Sequence, residues 1–245
     1  MQSTASVLVS SLLYMDFVEG EILAFDKPYR WTSFDVVGKA RWLLCKKLGV
    51  KKLKVGHSGT LDPLATGVVV VCTGKKTKLI DQLQAHQKEY VATLQLGATT
   101  PSFDLEKEID ATYPTEHITR ALIEEVIPTF TGEQWQVPPM FSAVKVDGKR
   151  AYQLARQGEE VELKAKLLVI DEIEIQDFNE QQMQLTLRIV CSKGTYIRAL
   201  ARDIGQRLQS GAHLIALRRT RAGDIRVDDC ITFEQFTNLI DNEIK

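Results

Sequence analysis

The sequence predicts an α+β fold built on a central mixed or antiparallel sheet flanked by helices. YVATLQLG (90–97) and QLTLRIVC (184–191) alternate apolar and polar residues with period two, the pattern of half-buried strands. Other segments place apolar residues every three to four positions, the pattern of helices packed on one face. The two kinds are interspersed without a regular strand–helix–strand beat, which argues against a doubly wound parallel sheet.

In chain order, the first helix follows Thr32 and Ser33, either of which can cap it. Val36, Val37, Ala40, Leu43 and Leu44 keep helical spacing from there until Gly49, and the outer face is basic. VVVVC (68–72) is a continuous apolar run between glycines and reads as a buried strand. Beyond the strand at 90–97, residues 115–127 suggest a helix stopped by Pro128. Residues 132–158 show neither period cleanly at first and interleave Trp135, Phe141 and Tyr152 with prolines, lysines and arginines. Such a segment reads as a loop insertion that contacts RNA, stacking on bases while neutralising phosphates, or as a loop pinned to the core by its aromatics. After the strand at 184–191, Ile197, Leu200, Ala201, Ile204 and Leu208 mark a helix ended by Gly211, and a short helix around 232–241 closes the chain.

With 245 residues, 44% apolar and 26% charged, the chain has ample material for a core. No run of eighteen apolar residues exists, so no membrane span is expected, and the N-terminal apolar stretch lacks the basic flank of a signal peptide. Cys45, Cys72, Cys191 and Cys230 are far apart, without a CxxC pair or Cys/His ligand spacing. They read as buried thiols of a cytoplasmic protein, neither a zinc site nor a disulfide framework. The net charge of −1 conceals segregation: residues 27–54 carry nine Lys/Arg against one acid, and 188–226 nine against two. Acidic blocks at 104–125 and 159–180 offset them, as a polyanion-binding face with a solubilising back would. Solvated charged faces without a partner give the same pattern.

VGHSGTLDPLATG (55–67) holds three glycines, a histidine and an Asp-Pro pair, but no Lys, Arg or Glu. A phosphate-loop reading through Gly74-Lys75 fails, because Val69 stands where the first glycine of GxxxxGK[ST] would be and Lys76 follows Lys75. Locally, Asp62 can cap a helical turn, Pro63 is preorganised at its first position and Gly67 supplies a left-handed exit. The functional alternative is that Gly56 and Gly59 let a ligand backbone approach, with Asp62 at the mouth of a cleft.

Five blocks in order resemble the TruB-type tRNA pseudouridine synthases. GHSGTLDPLATGVVVVCTGKKTK is similar to that family's GHxGxLDPxAxGxLxxxxGxxTK, and DKPYRWTSFDVV (26–37) to DKPxGxTSxxxV. KEYVATLQLGATTPSFDLE, QVPPMFSAVKVDGKRAYQLARQG, and CSKGTYIRALARDIG with AHLIALRRTRAG resemble the three later blocks. The resemblance implies a pseudouridine synthase fold and isomerisation of uridine at position 55 in the T loop of tRNA, with no metal and no cofactor. Asp62 matches the catalytic aspartate, and His57 lies in its loop near the accommodated RNA. Tyr90 matches the tyrosine that stacks on the flipped-out uracil, Tyr196 and Arg198 line the pocket with Arg198 paired to the aspartate, and Leu217 touches the base. The implied partner is the T-arm stem-loop of tRNA, and the protein is expected to be a cytoplasmic monomer. The alternatives are an RNA-binding or tRNA-folding module in which catalysis is dispensable, and the same chemistry on another RNA.

The sequence departs from the family at Arg30, where glycine is usual; if that turn needs positive φ, Arg30 is strained. Phe141 replaces the usual Tyr, and Lys107 the glycine after FDLE. Only about twenty residues follow RRTRAG, so a short form without an appended RNA-binding domain is expected. The resemblance begins near Asp16, so residues 1–14 are expected to be an extension, disordered or not native, before a single catalytic domain at 15–245.

Overall fold

The computed structural model describes residues 16–242, except 143, 147, 158 and 160. The expected extension at 1–14 lies outside the described residues. In chain order the elements are β1 (Ile22–Lys27), α1 (Ser33–Leu48), β2 (Val55–His57), β3 (Ala65–Thr73), α2 (Ile80–Ala85), β4 (Lys88–Leu96), β5 (Ala98–Thr99), β6 (Ala111–Thr112) and α3 (Arg120–Val126). They continue with β7 (Gly132–Gln136), β8 (Lys145–Val146), β9 (Lys149–Arg150), α4 (Ala151–Arg156), β10 (Lys166–Asn179), β11 (Gln184–Cys191), α5 (Ile197–Arg207), β12 (Ala212–Ala222), β13 (Ile225–Arg226) and α6 (Phe233–Asn242). They fall into two compact units: Met1–Lys88 with Arg218–Lys245, and Glu89–Leu217.

In the first unit, β3 pairs antiparallel with β1, from Ile22↔Cys72 to Lys27↔Gly67, and with β2, from Val55↔Thr73 to His57↔Val71. A parallel bridge joins Phe25 to Ile231. The helix α1 begins where the sequence places it, because Thr32 and Asp35 form a reciprocal capping box, and it ends at Gly49 with φ 65°. Val36, Val37, Ala40 and Leu44 are its buried stripe. Phe25 is fully buried, stacked on Phe233 at 4.7 Å and set edge-on to Phe236 at 5.1 Å, which fastens α6 to β1.

The second unit has the strand order β4-β11-β10-β7. Strand β4 alternates along its length, burying Tyr90, Ala92, Leu94 and Leu96. Helix α3 starts later than the sequence suggests, at a Thr119 cap, and Pro128 ends the α-helix by entering a 3₁₀ turn over Ile127–Phe130. At the end of α5 the left-handed residue is Gln209 (φ 52°) rather than Gly211, which instead leaves room for the Tyr113 ring: a Cβ there would lie 2.5 Å from it. The segment 132–158 is not a loop throughout. Strand β7 pairs with β10, β8 and β9 form a hairpin, and α4 follows. Trp135, 73% exposed on β7, does not pin this segment to the core, whereas Phe141 is half-buried beneath the Lys107 ammonium.

Cys72 and Cys191 are buried as expected, while Cys45 and Cys230 are only half-buried; among the described residues none of the four is in a disulfide. Among the described residues no helix is long and apolar enough to cross a membrane.

Candidate active site

Asp62 and His57 belong to the first unit, and Tyr90, Tyr196, Arg198 and Leu217 to the second. The Asp62 segment is a turn closed by Ala65 N–H donating to the Asp62 carbonyl at 3.1 Å, and it feeds directly into β3. Its backbone is held at each step. The Arg219 guanidinium donates to the carbonyls of Gly59 and Thr60, both at 3.3 Å, and to Val68 at 2.7 Å. Ser33 accepts from Leu61 N–H at 2.8 Å and donates back to the Leu61 carbonyl at 3.3 Å. The Pro63 carbonyl accepts from Arg30 N–H at 2.8 Å and from the Lys27 ammonium at 3.4 Å. Every carbonyl from Gly59 to Pro63 therefore has a donor, and the half-exposed Asp62 side chain stands on a backbone with little freedom to move.

The glycines of this segment divide by role. Gly67 is not a turn exit: it lies inside β3 with φ 106°, and a Cβ there would sit 2.1 Å from the Arg219 carbonyl oxygen. Gly56 is small because Ile80 packs on it, a Cβ meeting Ile80 Cδ1 at 2.8 Å, so it does not clear space for a ligand. Gly59 has φ 146°, a conformation glycine alone adopts readily, and a Cβ there would have only Arg219 within 4 Å, at 3.9 Å.

Two cations that sequence reasoning did not assign shape this site. Lys27 is fully buried at the end of β1, with its ammonium on the carbonyls of Trp31 (2.6 Å), Pro28 (3.1 Å) and Pro63. Burial pushes its pKa down to about 8; the nearby Asp62 carboxylate opposes the shift, and Arg219 adds to it. Asp62 thus has a cation near it in its own unit, in addition to the Arg198 that the resemblance pairs with it. Arg219, 3% exposed, is the second. Its neighbour Arg218 makes a fork to Asp26, at 2.7 and 3.1 Å, and reaches Thr66 Oγ1 at 3.2 Å. Both arginines lie in the sequence LRRT, where only Leu217 had been singled out.

His57 is half-buried, and its Nδ1 accepts from Gly59 N–H at 3.3 Å, which puts the ring proton on Nε2. Burial, joined by the charge of Arg219, holds its pKa below the usual imidazole value, so it is neutral at pH 7. In the second unit, Arg198 is 5% exposed, not on the surface. It donates to the Phe141 carbonyl at 2.9 Å and the Ser102 carbonyl at 3.3 Å, with Nε 3.6 Å from the Asp104 carboxylate. Tyr196 is the half-buried N-cap of α5, its backbone clasped by Gln136: N–H to Oε1 at 2.9 Å, and Nε2 to the Tyr196 carbonyl at 3.2 Å. Tyr90 is 8% exposed, and Leu217 is half-buried in β12, not the core residue its strand context suggests.

Two outcomes follow from this geometry. Arg30 does adopt the left-handed conformation, φ 67°, with its N–H committed to Pro63. Arg30→Gly is expected to raise stability by about 0.5–1 kcal/mol, because the native strain exceeds the entropy glycine adds to the unfolded chain. A lower urea midpoint than wild type would contradict this. Lys27 titrates near pH 8 folded and near its ordinary value unfolded, so the unfolded chain binds more protons between about 8 and 10.5 and stability from this group rises with pH across that window. The melting temperature of wild type relative to Lys27→Met should climb between pH 8 and 10; a difference that stays flat would exclude a buried, depressed amine.

Interspersed strands and helices with this architecture are the pseudouridine synthase fold. A chain of a Cbf5–Nop10–Gar1 complex matches it with a TM-score of 0.69 and 30% identity, over 92% of this chain and 56% of that one. Within that class, the chain belongs to the TruB family of pseudouridylate synthases. The model for the family's N-terminal domain matches residues 46–197, and that for the tRNA pseudouridylate synthase B C-terminal domain matches residues 198–244. The tRNA pseudouridine synthase B of Phocaeicola vulgatus is 66% identical over 229 residues, 94% of this chain and 97% of that protein. That of Bacteroides thetaiotaomicron is 64% identical over 231 residues, 94% and 96% respectively.

Proposed function

We propose that this isomerase converts uridine at position 55 in the T loop of tRNA to pseudouridine, with Asp62 acting on a flipped-out nucleotide. The observation that carries the reading is the fully anchored backbone of residues 59–63 beneath a half-exposed Asp62 carboxylate. The C1′–N1 bond breaks, the uracil turns, C5 bonds to C1′, the C5 proton leaves and N1 takes one up. The change is redox-neutral, so positioning and electrostatics are what the protein supplies.

Whether it attacks C1′ or takes a sugar proton, the carboxylate must hold its place while the base rotates, and the tethers from Arg219, Ser33, Lys27 and Arg30 support that. Tyr90 is assigned as the platform for the extruded uracil, which returns part of the unstacking cost. Arg198 is assigned as a cation for Asp62, Tyr196 and Leu217 as pocket walls, and the neutral His57 as a hydrogen-bonding contact to RNA beside the turn. The protein is assigned to act alone on the T-arm stem-loop.

Incubation with an unmodified tRNA transcript, followed by carbodiimide treatment and primer extension, tests the reading. A single stop corresponding to position 55 is expected, lost when that uridine is replaced by cytidine. Modification confined to any other uridine would overturn it.

A further inference from the structure

We propose that the exposed face of α1 is a second RNA-binding surface, which grips the sugar–phosphate backbone of the tRNA arm next to the target loop. The inference rests on the tRNA reading above. Trp42 is 56% exposed, and two lysines from its own helix converge on its ring, Lys39 at 5.0 Å and Lys46 at 5.4 Å from the centroid. An indole left in water is an odd core residue but a good holder of ammonium groups. It gathers the two cations on one patch, which lowers the entropy lost when they meet a pair of phosphates.

Gly38 stands one turn before Trp42, and Phe34, 70% exposed, one turn before that. Glycine in a helix interior weakens the helix, yet a Cβ at Gly38 would meet nothing within 4 Å, so internal packing does not account for it. A notch between two exposed aromatics, beside two held ammonium groups, fits a backbone that must approach the helix closely. The charge supports a polyanion: residues 39–54 contain seven Lys/Arg and no acid, and Asp35, the helix's one acidic residue, is consumed in the Thr32 capping box.

The same helix carries Ser33, which holds Leu61 beside Asp62. At 1.5 Å rise per residue, Lys39 and Lys46 lie about 9 and 20 Å along the axis from Ser33. A single RNA can therefore place a nucleotide at Asp62 and run its backbone over this face. Contacts of this kind set register and affinity without reading sequence.

Filter binding and turnover on full tRNA test the assignment, with Lys39→Gln/Lys46→Gln, Trp42→Leu and Gly38→Gln beside wild type. The double lysine variant should bind roughly 10-fold more weakly, and its slope of log affinity against log salt should flatten by about 1.4–1.8, the value for two phosphate contacts. Trp42→Leu and Gly38→Gln should raise KM several-fold, and kcat should stay within about 2-fold in all three. Gly38→Ala should raise the melting temperature. Binding measured in the Asp62→Ala background separates the two readings: a wild type that makes no pseudouridine defeats the proposed function, while weakened binding by the α1 variants still reports on this face. Unchanged affinity and salt slope in all the variants would overturn the inference and leave the face to a partner other than RNA.

Discussion

Asp62→Ala is expected to lower pseudouridine formation on the order of 10⁴-fold or more while leaving tRNA affinity within a few-fold of wild type. The separation follows from how the turn is built. The anchors on Gly59, Thr60, Leu61 and Pro63 all act on backbone atoms, so truncating the Asp62 side chain leaves each in place. Lys27 would register the loss directly, because the carboxylate that opposes its desolvation is gone and its pKa should fall further below about 8. Asp62→Asn, which keeps shape and hydrogen bonding but no charge, should be as inactive as alanine if the reaction needs a carboxylate. Product formed by Asp62→Ala would remove Asp62 from the chemistry. The alternative of an RNA-binding module predicts something different: Asp62→Ala should then restore growth to a strain lacking the protein as fully as wild type does. Loss of that rescue at unchanged affinity would eliminate it.

Helix α1 was legible because its start and stop are chemical: a Thr-x-x-Asp box and a glycine with positive φ are written in adjacent residues. Strand β4 was legible because its alternation runs unbroken, and β11 because its alternation holds as far as Ile189. Strand β10 was not, although it is fourteen residues long. Register shifts between Ile170 and Glu172 and again between Ile175 and Asp177 reset which side chains face inward, so the period of two never lasts and the stretch reads only as an acidic block. The same distinction divides the site. Asp62 and His57 stand in one short motif. Lys27 and Arg219 were missed as anchors because a buried cation on main-chain carbonyls has no local signature: Lys27 meets Pro63 from 36 positions away, and Arg219 meets Gly59 from 160. Strand β1 even places Lys27 at an inward position where periodicity calls for an apolar residue.

Arg219 should prove the most sensitive position outside Asp62. Its fork supplies donors to three carbonyls, those of Val68, Gly59 and Thr60, and its own main chain crosses Gly67 too closely for any side chain there. Arg219→Ala strips those donors from a buried region, where each unsatisfied group costs about 1–3 kcal/mol, so a loss of about 3 kcal/mol or more is expected. For a chain of this size that lowers the melting temperature by about 6–12 °C. Arg219→Lys is the sharper test, because it keeps the charge and most of the volume but cannot span three acceptors with one ammonium. With the turn free to shift by about 1 Å, kcat should fall on the order of 100-fold while KM for tRNA stays close to wild type, since the side chain is buried. Arg219→Gln adds a readout that packing alone would not move: without the guanidinium charge, His57 and Lys27 both lose a cation that depresses them, and each should titrate at higher pH. Wild-type kcat in Arg219→Lys would show that the turn holds its shape without the guanidinium, and a His57 titration unmoved in Arg219→Gln would show that the Arg219 charge does not depress the ring.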